Sequence, residues 1–394
     1  MKITEKNGEP ALIVEYHDER EDFNGWLVID ALDYRLCAGG MRVQPGLSRE
    51  HLIEMARNMT RKMRMANLRV NGAKSGIDYD PANPGKQAAI TRFMQAIKSQ
   101  IQERYSMGPD LNVEMSELEK AGREIGLPSV KMAIAAAQNW EMEYYLQRAS
   151  ILSAKIDNWS LGRLRAGYGV AAAVLSVLDY SGIPPANATL AIQGFGTLAK
   201  AAAYGLIRAG AKIIAIADRE KCLVAKDGHS LNMELLLQVK GGLLPASGHG
   251  DHVEIFAKEK ITEINCDILV PAAVENTITG AIASNLPVKI VVPGANLAVS
   301  AEAVEILYER GIIVLPDFLA GSGGSLSMEG LFGPAEHPEP LAVLNHVKTR
   351  MDELVLEVLN RSIAARINPT EAALLICGER QKTPGTRPYG NPEG

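Results

Sequence analysis

Cysteine is scarce in this 394-residue chain, and the four present, Cys37, Cys222, Cys266 and Cys377, stand far apart. They fall in no metal-ligand spacing and suggest no disulfide framework, so a reducing, cytoplasmic setting is expected. Long apolar runs are missing as well: none approaches the ~20 residues of a membrane span. The opening "MKITEKNGEP" is too charged for a secretory signal, and no membrane partner is expected. Blocks of like charge are also lacking. With 41 basic and 46 acidic side chains the formal charge is -5, a balance that suits small-molecule partners and gives nucleic acid no general electrostatic footprint. The densest basic run, "TRKMRMANLR" at 60–69, reads as a helix surface ahead of a phosphate patch. None of the seven histidines stands in a catalytic pattern. His249 and His252, in "GHGDH", have a spacing that could suit a metal, but a glycine-rich loop without a third ligand predicts no metal site.

What is present is enough apolar material for two cores: 47% of residues are hydrophobic and 22% charged, at a length that favours two domains. "ALIVEYHD" and "GWLVIDAL" read as strands. From Ser48, a plausible N-cap, Leu52, Met55, Met59, Met63 and Ala66 recur at helical spacing. Lys62, seven residues after Met55, falls about 20° from it around that helix, at the edge of the buried stripe, unlike Arg57 or Arg64. Further helices are expected at 86–104, 116–125 and 342–366, with "YSMGPDLNVEM" as a loop. The tail "RQKTPGTRPYGNPEG" is too polar and too rich in proline and glycine to be expected to fold.

The middle of the chain changes character. "ATLAIQGFGTLAKAAAYGLIRAGAKIIAIAD" is an apolar strand, a glycine turn, an alanine-rich helix and a second apolar strand, which is one βαβ unit. "CDILVPAA", "VKIVVPGAN" and "GIIVLPDFLAG" add three more strands, predicting a doubly wound parallel sheet with binding groups at the strands' carboxyl ends. Gly194, Phe195, Gly196, Thr197, Leu198 and Ala199 form a G-x-G-x-x-A version of the dinucleotide fingerprint. The first glycine permits a tight turn, the second lets pyrophosphate approach the backbone, and Ala199 lets helix pack on strand. Asp218 closes the next strand, where an acidic residue can bind both hydroxyls of the adenosine ribose and favours NAD. Arg219 beside it could instead contact a 2'-phosphate, which keeps NADP open.

In the first part, "LRVNGAKSGIDYD" at 68–80 holds Lys74 between small residues. Alone, "NGAKSG" reads as a turn with an exposed lysine. A second reading makes Lys74 an acid/base, if burial and a second cation such as Lys62 tune its proton affinity and small neighbours let substrate approach. Asp110, on a short loop after a probable turn, could exchange protons in a closed cleft; by itself it reads as a turn or capping residue.

Together these segments resemble the glutamate/leucine/phenylalanine/valine dehydrogenase superfamily, over about residues 34 to 330. The family's "GG-x-R" appears as Gly39, Gly40, Met41 and Arg42, its "MT-x-K" as Met59 to Lys62, and its "GG-x-K-G-G" as 71–76. "AIQGFG", "CDILVPAAVENTI", with Ala272 and Ala273, "PGAN", with Asn296, and "GIIVLPD" follow in family order. The resemblance implies an α/β fold with an N-terminal substrate domain and a Rossmann-like doubly wound NAD-binding domain, the active site lying in the cleft between them. The expected boundaries are 1–152 with 336–394 for substrate binding and oligomerisation, and 153–335 for the dinucleotide. It implies reversible oxidative deamination of an L-amino acid with NAD, or NADP, to a 2-oxo acid and ammonium, by a homo-oligomer. Lys62 would hold the α-carboxylate while hydride leaves Cα for the nicotinamide; Lys74 would activate the water that attacks the imine, and Asp110 would relay protons.

The residue before "GG-x-R" is a lysine in the family's glutamate enzymes and apolar in the leucine type; here it is Ala38. With Ser325 and Met328 at the other pocket positions, a large apolar or partly polar side chain is expected rather than glutamate. Departures from the family pattern are Asn71 and Ser75 beside Lys74, Ala166 in "RLRAGYGV", Pro293 before "GAN", and Gly321 and Ser322 in "GSGG". At this point a non-catalytic nucleotide-binding relative, or an NAD-linked enzyme acting on an unusual amino acid or imine, also stays open.

Overall fold

The computed structural model describes residues 9–247, 250–380 and 387–390. The chain divides into two compact units, one of residues 1–149, 332–334 and 380–394, the other of 150–331 and 335–379. Most of the polar tail from Arg380 on, 381–386 and 391–394, lies outside the described residues.

The first unit is built on five strands: β1 (Leu12–Asp18), β2 (Phe23–Ile29), β3 (Cys37–Val43), β4 (Asn71–Ile77) and β5 (Tyr105–Pro109), in the order β1-β2-β4-β3-β5. β3 runs parallel to β4 and β5, and the other pairs are antiparallel. Two layers cover the sheet because side chains alternate between its faces. Leu27, Met41, Ala73, Ile77, Tyr105 and Met107 join Phe93, Met94, Leu118 and others in one core. On the opposite face Val28 packs with Leu47, Leu52 and Ala56 of the helix Arg49–Met65 and its approach. That helix starts as its sequence predicts: the Ser48 side chain accepts a hydrogen bond from the His51 amide at 3.2 Å. The expected single helix over 86–104 is two, Lys86–Ala96 and Lys98–Glu103.

The second unit carries a short hairpin, β6 (Lys155–Ile156) and β7 (Trp159–Ser160), and a seven-stranded sheet. Its strands are β8 (Thr189–Gln193), β9 (Lys212–Ala217), β10 (Lys221–Ala225), β11 (Val253–Ala257), β12 (Cys266–Pro271), β13 (Val288–Val291) and β14 (Ile313–Val314), in the order β11-β10-β9-β8-β12-β13-β14. Five of them, β9-β8-β12-β13-β14, are parallel as expected; β10 and β11 add an antiparallel edge that the sequence reading did not include.

The helix Leu161–Tyr180 is long and apolar enough, by length and composition, to cross a membrane, although no such run was expected from the sequence. Its most apolar window is 67% buried within the fold, as befits a core helix. Gly167 lets it press on the helix Thr197–Arg208, since a Cβ there would lie 2.3 Å from the Leu198 carbonyl oxygen.

The expectation that 336–394 rejoins the first unit needs correction. The helices Pro340–Ala365 and Pro369–Glu379 belong to the second, and the first of them packs along Leu161–Tyr180. Its buried stripe includes Val343, Val347, Met351, Leu354 and Val358, each worth roughly 1.5–3 kcal/mol when fully buried. Such a stripe requires an apolar partner without specifying which one. Among the described residues of this region, 332–334, Arg380 and 387–390 return to the first unit.

Candidate active site

"NGAKSG" is not a turn. It is the body of β4, the middle strand of its sheet, and all seven residues of the strand are buried. Its glycines answer to close neighbours: a Cβ on Gly72 would lie 2.2 Å from the Ala56 carbonyl oxygen and from the Thr60 amide nitrogen, and one on Gly76 would lie 2.5 Å from Leu47 Cδ2. The Gly72 amide donates to Thr60 Oγ1 at 3.1 Å, which ties the strand to the helix Arg49–Met65. The two non-glycine departures in this segment point the other way and pin the strand. Asn71 Nδ2 donates to the Tyr34 carbonyl at 2.6 Å, and Ser75 Oγ meets the Tyr105 hydroxyl at 2.9 Å.

Lys74 is therefore a core lysine, 3% exposed. Its Nζ lies 2.8 Å from Asp110 Oδ2, and Arg42 Nε donates to the same oxygen at 2.8 Å. Arg42 is itself held by Gln44 Oε1 at 2.9 Å. Asp110 follows β5 directly, so the segment "YSMGP", read as loop, is a strand that carries it. Burial alone would raise the Asp110 pKa, but the Lys74 and Arg42 charges and their hydrogen bonds hold it well below the usual carboxylate range. Arg42 stood in the "GGMR" motif, yet nothing in its sequence setting marked it as the third member of this cluster.

Gly39 and Gly40 supply the approach. A Cβ on Gly39 would lie 1.6 Å from the Ala73 carbonyl oxygen, and one on Gly40 2.9 Å from Asp110 Cβ. Ala38 stands level with Gly72 on one side and Ser106 on the other. Lys62 is buried, 7% exposed, whereas Arg57 and Arg64 of the same helix are half-buried and pair with Asp30 and Asp33.

In the second unit the fingerprint takes the predicted form at the end of β8. Gly194 has φ +118°, and a Cβ there would lie 2.6 Å from the Ala272 carbonyl oxygen, so only glycine fits. Gly196, the N-cap of the twelve-residue helix Thr197–Arg208, is exposed with open space above it, and no side chain caps the helix. Such a helix start, with free amides and an approachable backbone, suits a pyrophosphate. Phe195 is buried beneath Lys200, whose Nζ stands 4.1 Å from the ring centroid and donates to the carbonyls of Val239 and Gly241 at 2.6 and 2.7 Å. Leu198 and Ala272 both approach Gly294, next to Pro293; Ala273 is exposed and Asn296 half-buried.

Asp218 sits at the end of β9, but its carboxylate serves the fold first. Oδ1 accepts from the amides of Glu220 and Lys221 at 2.7 and 2.8 Å, and Oδ2 from that of Leu244 at 2.6 Å. Arg219 is largely exposed and lines a pocket of about 320 Å3 with Lys240, Gly241, Gly242 and Leu243. The departures Ala166 and "GSGG" meet in one helix crossing. A Cβ on Gly323 would lie 2.9 Å from the Ala166 carbonyl oxygen, and one on Gly169 2.4 Å from Gly323 Cα. Gly321 and Ser322 bond within their own turn, to the carbonyls of Asp317 and Leu319, and Ser325 and Met328 are buried. Of the histidine pair, His249 lies outside the described residues, and the His252 ring centroid stands 5.1 Å from that of His229.

A parallel-sheet unit with a dinucleotide fingerprint and, in the same chain, a unit holding a buried lysine, aspartate and arginine define the class of a dinucleotide-linked enzyme. Residues 160–371 match the glutamate/leucine/phenylalanine/valine dehydrogenase family, and 11–128 match that family's dimerisation domain. The chain is 32% identical over 297 residues to the catabolic NAD-specific glutamate dehydrogenase of Bacillus subtilis, covering 73% of this chain and 65% of that one. It is 28% identical over 340 residues to the NADP-specific glutamate dehydrogenase A1 of Halobacterium salinarum, covering 82% and 76%. In fold it resembles a hetero-hexameric glutamate dehydrogenase from Thermus thermophilus, solved in a Leu-bound form, with TM-score 0.77, 22% identity and coverage of 95% and 88%. The chain belongs to the glutamate/leucine/phenylalanine/valine dehydrogenase family of NAD(P)-dependent amino acid dehydrogenases.

Proposed function

We propose that this protein catalyses the reversible NAD(P)-dependent oxidative deamination of an L-amino acid to its 2-oxo acid and ammonium. The observation that carries this reading is the buried cluster in which Lys74 Nζ and Arg42 Nε share Asp110 Oδ2. A carboxylate held ionised between two cations, one of them a buried lysine, suits a proton relay. When bound, the nicotinamide supplies a hydride acceptor for the substrate Cα. In this reading Lys62 holds the α-carboxylate and Lys74 activates the water that attacks the imine carbon. Asp110, ionised throughout the neutral range at rest, relays protons to and from the substrate nitrogen: it takes one from the amino group before hydride transfer and returns one to that nitrogen after water has added, so that it leaves as ammonia. The open helix start at Gly196 and the glycine turn at Gly194 support pyrophosphate binding by the second unit. The dimerisation-domain match over 11–128 supports a homo-oligomer.

At the side-chain pocket, Ala38 takes away the cation that glutamate enzymes of the family place there. This supports a substrate other than glutamate in its usual pose, with an apolar or partly polar side chain. The test is a panel of amino acids with NAD and NADP, and of 2-oxo acids with ammonium and NADH or NADPH, following absorbance of the reduced cofactor. Turnover of at least one pair in both directions is expected, with a loss of about 10²-fold or more in Lys74→Ala. Undiminished turnover by that variant would remove Lys74 from the mechanism, and cofactor binding with no turnover at all would refute the proposal.

A further inference from the structure

The pocket of about 320 Å3 in the second unit has no role in the reaction described so far. Among the described residues it is lined by Arg219, Lys240, Gly241, Gly242 and Leu243, two of them cations and none acidic. Its volume lies within the range of small-molecule sites, roughly 300–1,000 Å3. Hydrogen bonds fix where it sits. Lys200, in the first turn of the fingerprint helix Thr197–Arg208, donates from Nζ to the carbonyls of Val239 and Gly241 at 2.6 and 2.7 Å. Leu244, just past the last lining residue, donates its amide to Asp218 Oδ2 at 2.6 Å. The segment 239–244 is therefore fastened at one end to the helix that starts beside Gly196 and at the other to the end of β9. The Gly194 amide joins these two anchors by donating to the Ala217 carbonyl at 2.7 Å. A dinucleotide with its pyrophosphate at the helix start lays its adenosine ribose over the end of the following strand, which is where Arg219 and the 240–243 wall stand.

Asp218 is not placed to grip that ribose by both hydroxyls. A carboxylate offers about four lone-pair sites, and three are taken, two by the amides of Glu220 and Lys221 and one by that of Leu244. Two free acceptor sites would be needed, one more than remain. Asp218 is also only 7% exposed, and it does not line the pocket. Arg219 is the opposite case: its side chain is 79% exposed, and its pair with the exposed Glu220 is long, 3.8 Å. A long, solvated pair of this kind yields readily to a stronger acceptor. Lys240, Gly241 and Gly242 are exposed as well, and a Cβ on either glycine would meet open space, so an anion can approach the backbone there.

We propose that this pocket takes the 2'-phosphate of NADP, with Arg219 and Lys240 as the residues that set cofactor preference, so that the protein works with NADP(H) ahead of NAD(H). A phosphomonoester carries a charge of about -1.5 to -2 at neutral pH and three acceptor oxygens. A guanidinium fork and an ammonium beside it match that group in charge and in donors. The bare 2'-hydroxyl of NAD would leave both cations to water. The inference rests on the dinucleotide-binding half of the function proposed above.

The test reads equilibrium binding, by the fluorescence of NADPH and NADH titrated with the full chain, for wild type, Arg219→Ser, Lys240→Ser and the double variant. Wild type should bind NADPH at least about 10-fold more tightly than NADH. Arg219→Ser should weaken NADPH by about 10-fold and Lys240→Ser by about 3- to 10-fold, the ammonium being the more strongly hydrated charge. NADH should stay within about threefold of wild type throughout, since its ribose offers these cations no charge. Raising salt from about 50 to about 300 mM should weaken NADPH more than NADH in wild type, and both alike in the double variant. Adenosine 2',5'-bisphosphate should displace NADPH from wild type at lower concentration than AMP does. Inorganic phosphate displacing it as well as the bisphosphate would show a general anion patch and overturn the assignment. A wild-type preference for NADH, or equal losses of both nucleotides in the variants, would overturn it too. Amino acid turnover with NAD preferred would sink this inference and leave the parent reading standing. Failure of the parent reading looks different: NADPH then binds with the stated preference while no amino acid or 2-oxo acid is turned over.

Discussion

Replacing Asp110 by asparagine keeps the shape of the cluster and removes its only shared charge. Asp110 Oδ2 takes hydrogen bonds from two cations at 2.8 Å each. Breaking a buried ion pair by removing one partner costs about 3–5 kcal/mol. Because 19% of the Asp110 side chain remains exposed, the lower end applies, roughly 3 kcal/mol. For a unit of this size that is a fall in Tm of about 6–12 °C, well short of a total stability of about 5–15 kcal/mol. Activity should suffer more, by about 10²–10⁴-fold in kcat, since the relay loses its ionised member while the substrate's other anchors stay.

The pH dependence gives a sharper discriminator. In the folded protein the Asp110 pKa is lowered from its ordinary 3.8, so the unfolded chain takes up the proton first as pH falls. The stabilisation is therefore fully present above the ordinary carboxylate range and is lost progressively below it. Asparagine does not titrate. Thermal melts of the two proteins should differ by a constant gap from about pH 8 down to pH 5, a gap that begins to narrow below about pH 4. A gap that persists undiminished in acid, or a variant with wild-type Tm and wild-type kcat, would refute the claim that the site uses the carboxylate's charge.

Two further substitutions probe the frame around this cluster. Gly39→Ala must push β3 away from the Ala73 carbonyl, 1.6 Å from the new Cβ; it should cost about 1–3 kcal/mol and, by moving Lys74 on the order of 1 Å, about 10²-fold in kcat. Near-normal kinetics and melting would show that the contact between these strands is not needed. Asp218→Ala strips the acceptor from three backbone amides, so it should lower Tm and weaken NAD and NADP binding together, as read by cofactor titration. A selective loss of NAD with Tm unchanged would return Asp218 to the role of a ribose ligand alone.

Local patterns were readable where the structure is local. The strand, turn and helix from β8 to Arg208 stand where their periodicity and glycines predict, and Ser48 caps the helix it precedes. Lys62 could be placed on the buried side from its angle to Met55 alone. The order of landmarks along the chain identified the family. The helices at 340–365 and 369–379 were misassigned because an apolar stripe demands a partner and does not name one.

The misreading of "NGAKSG" has a more specific cause. Glycine is depleted in strands and common in turns, and a rule based on propensity counts Gly72 and Gly76 as evidence for flexibility. In β4 both are fixed by contacts with Ala56, Thr60 and Leu47, residues distant in sequence. The same holds for Gly39 and Gly40, where a Cβ would meet the Ala73 carbonyl oxygen and Asp110 Cβ. A strand that must bring backbone close to a substrate gives up the residues that make it look like a strand. Sequence composition therefore misleads most at the site itself, where closeness has replaced side-chain bulk. Arg42 escaped notice for the complementary reason: it gains its meaning from Asp110, 68 residues further along the chain, and no local spacing records that pairing.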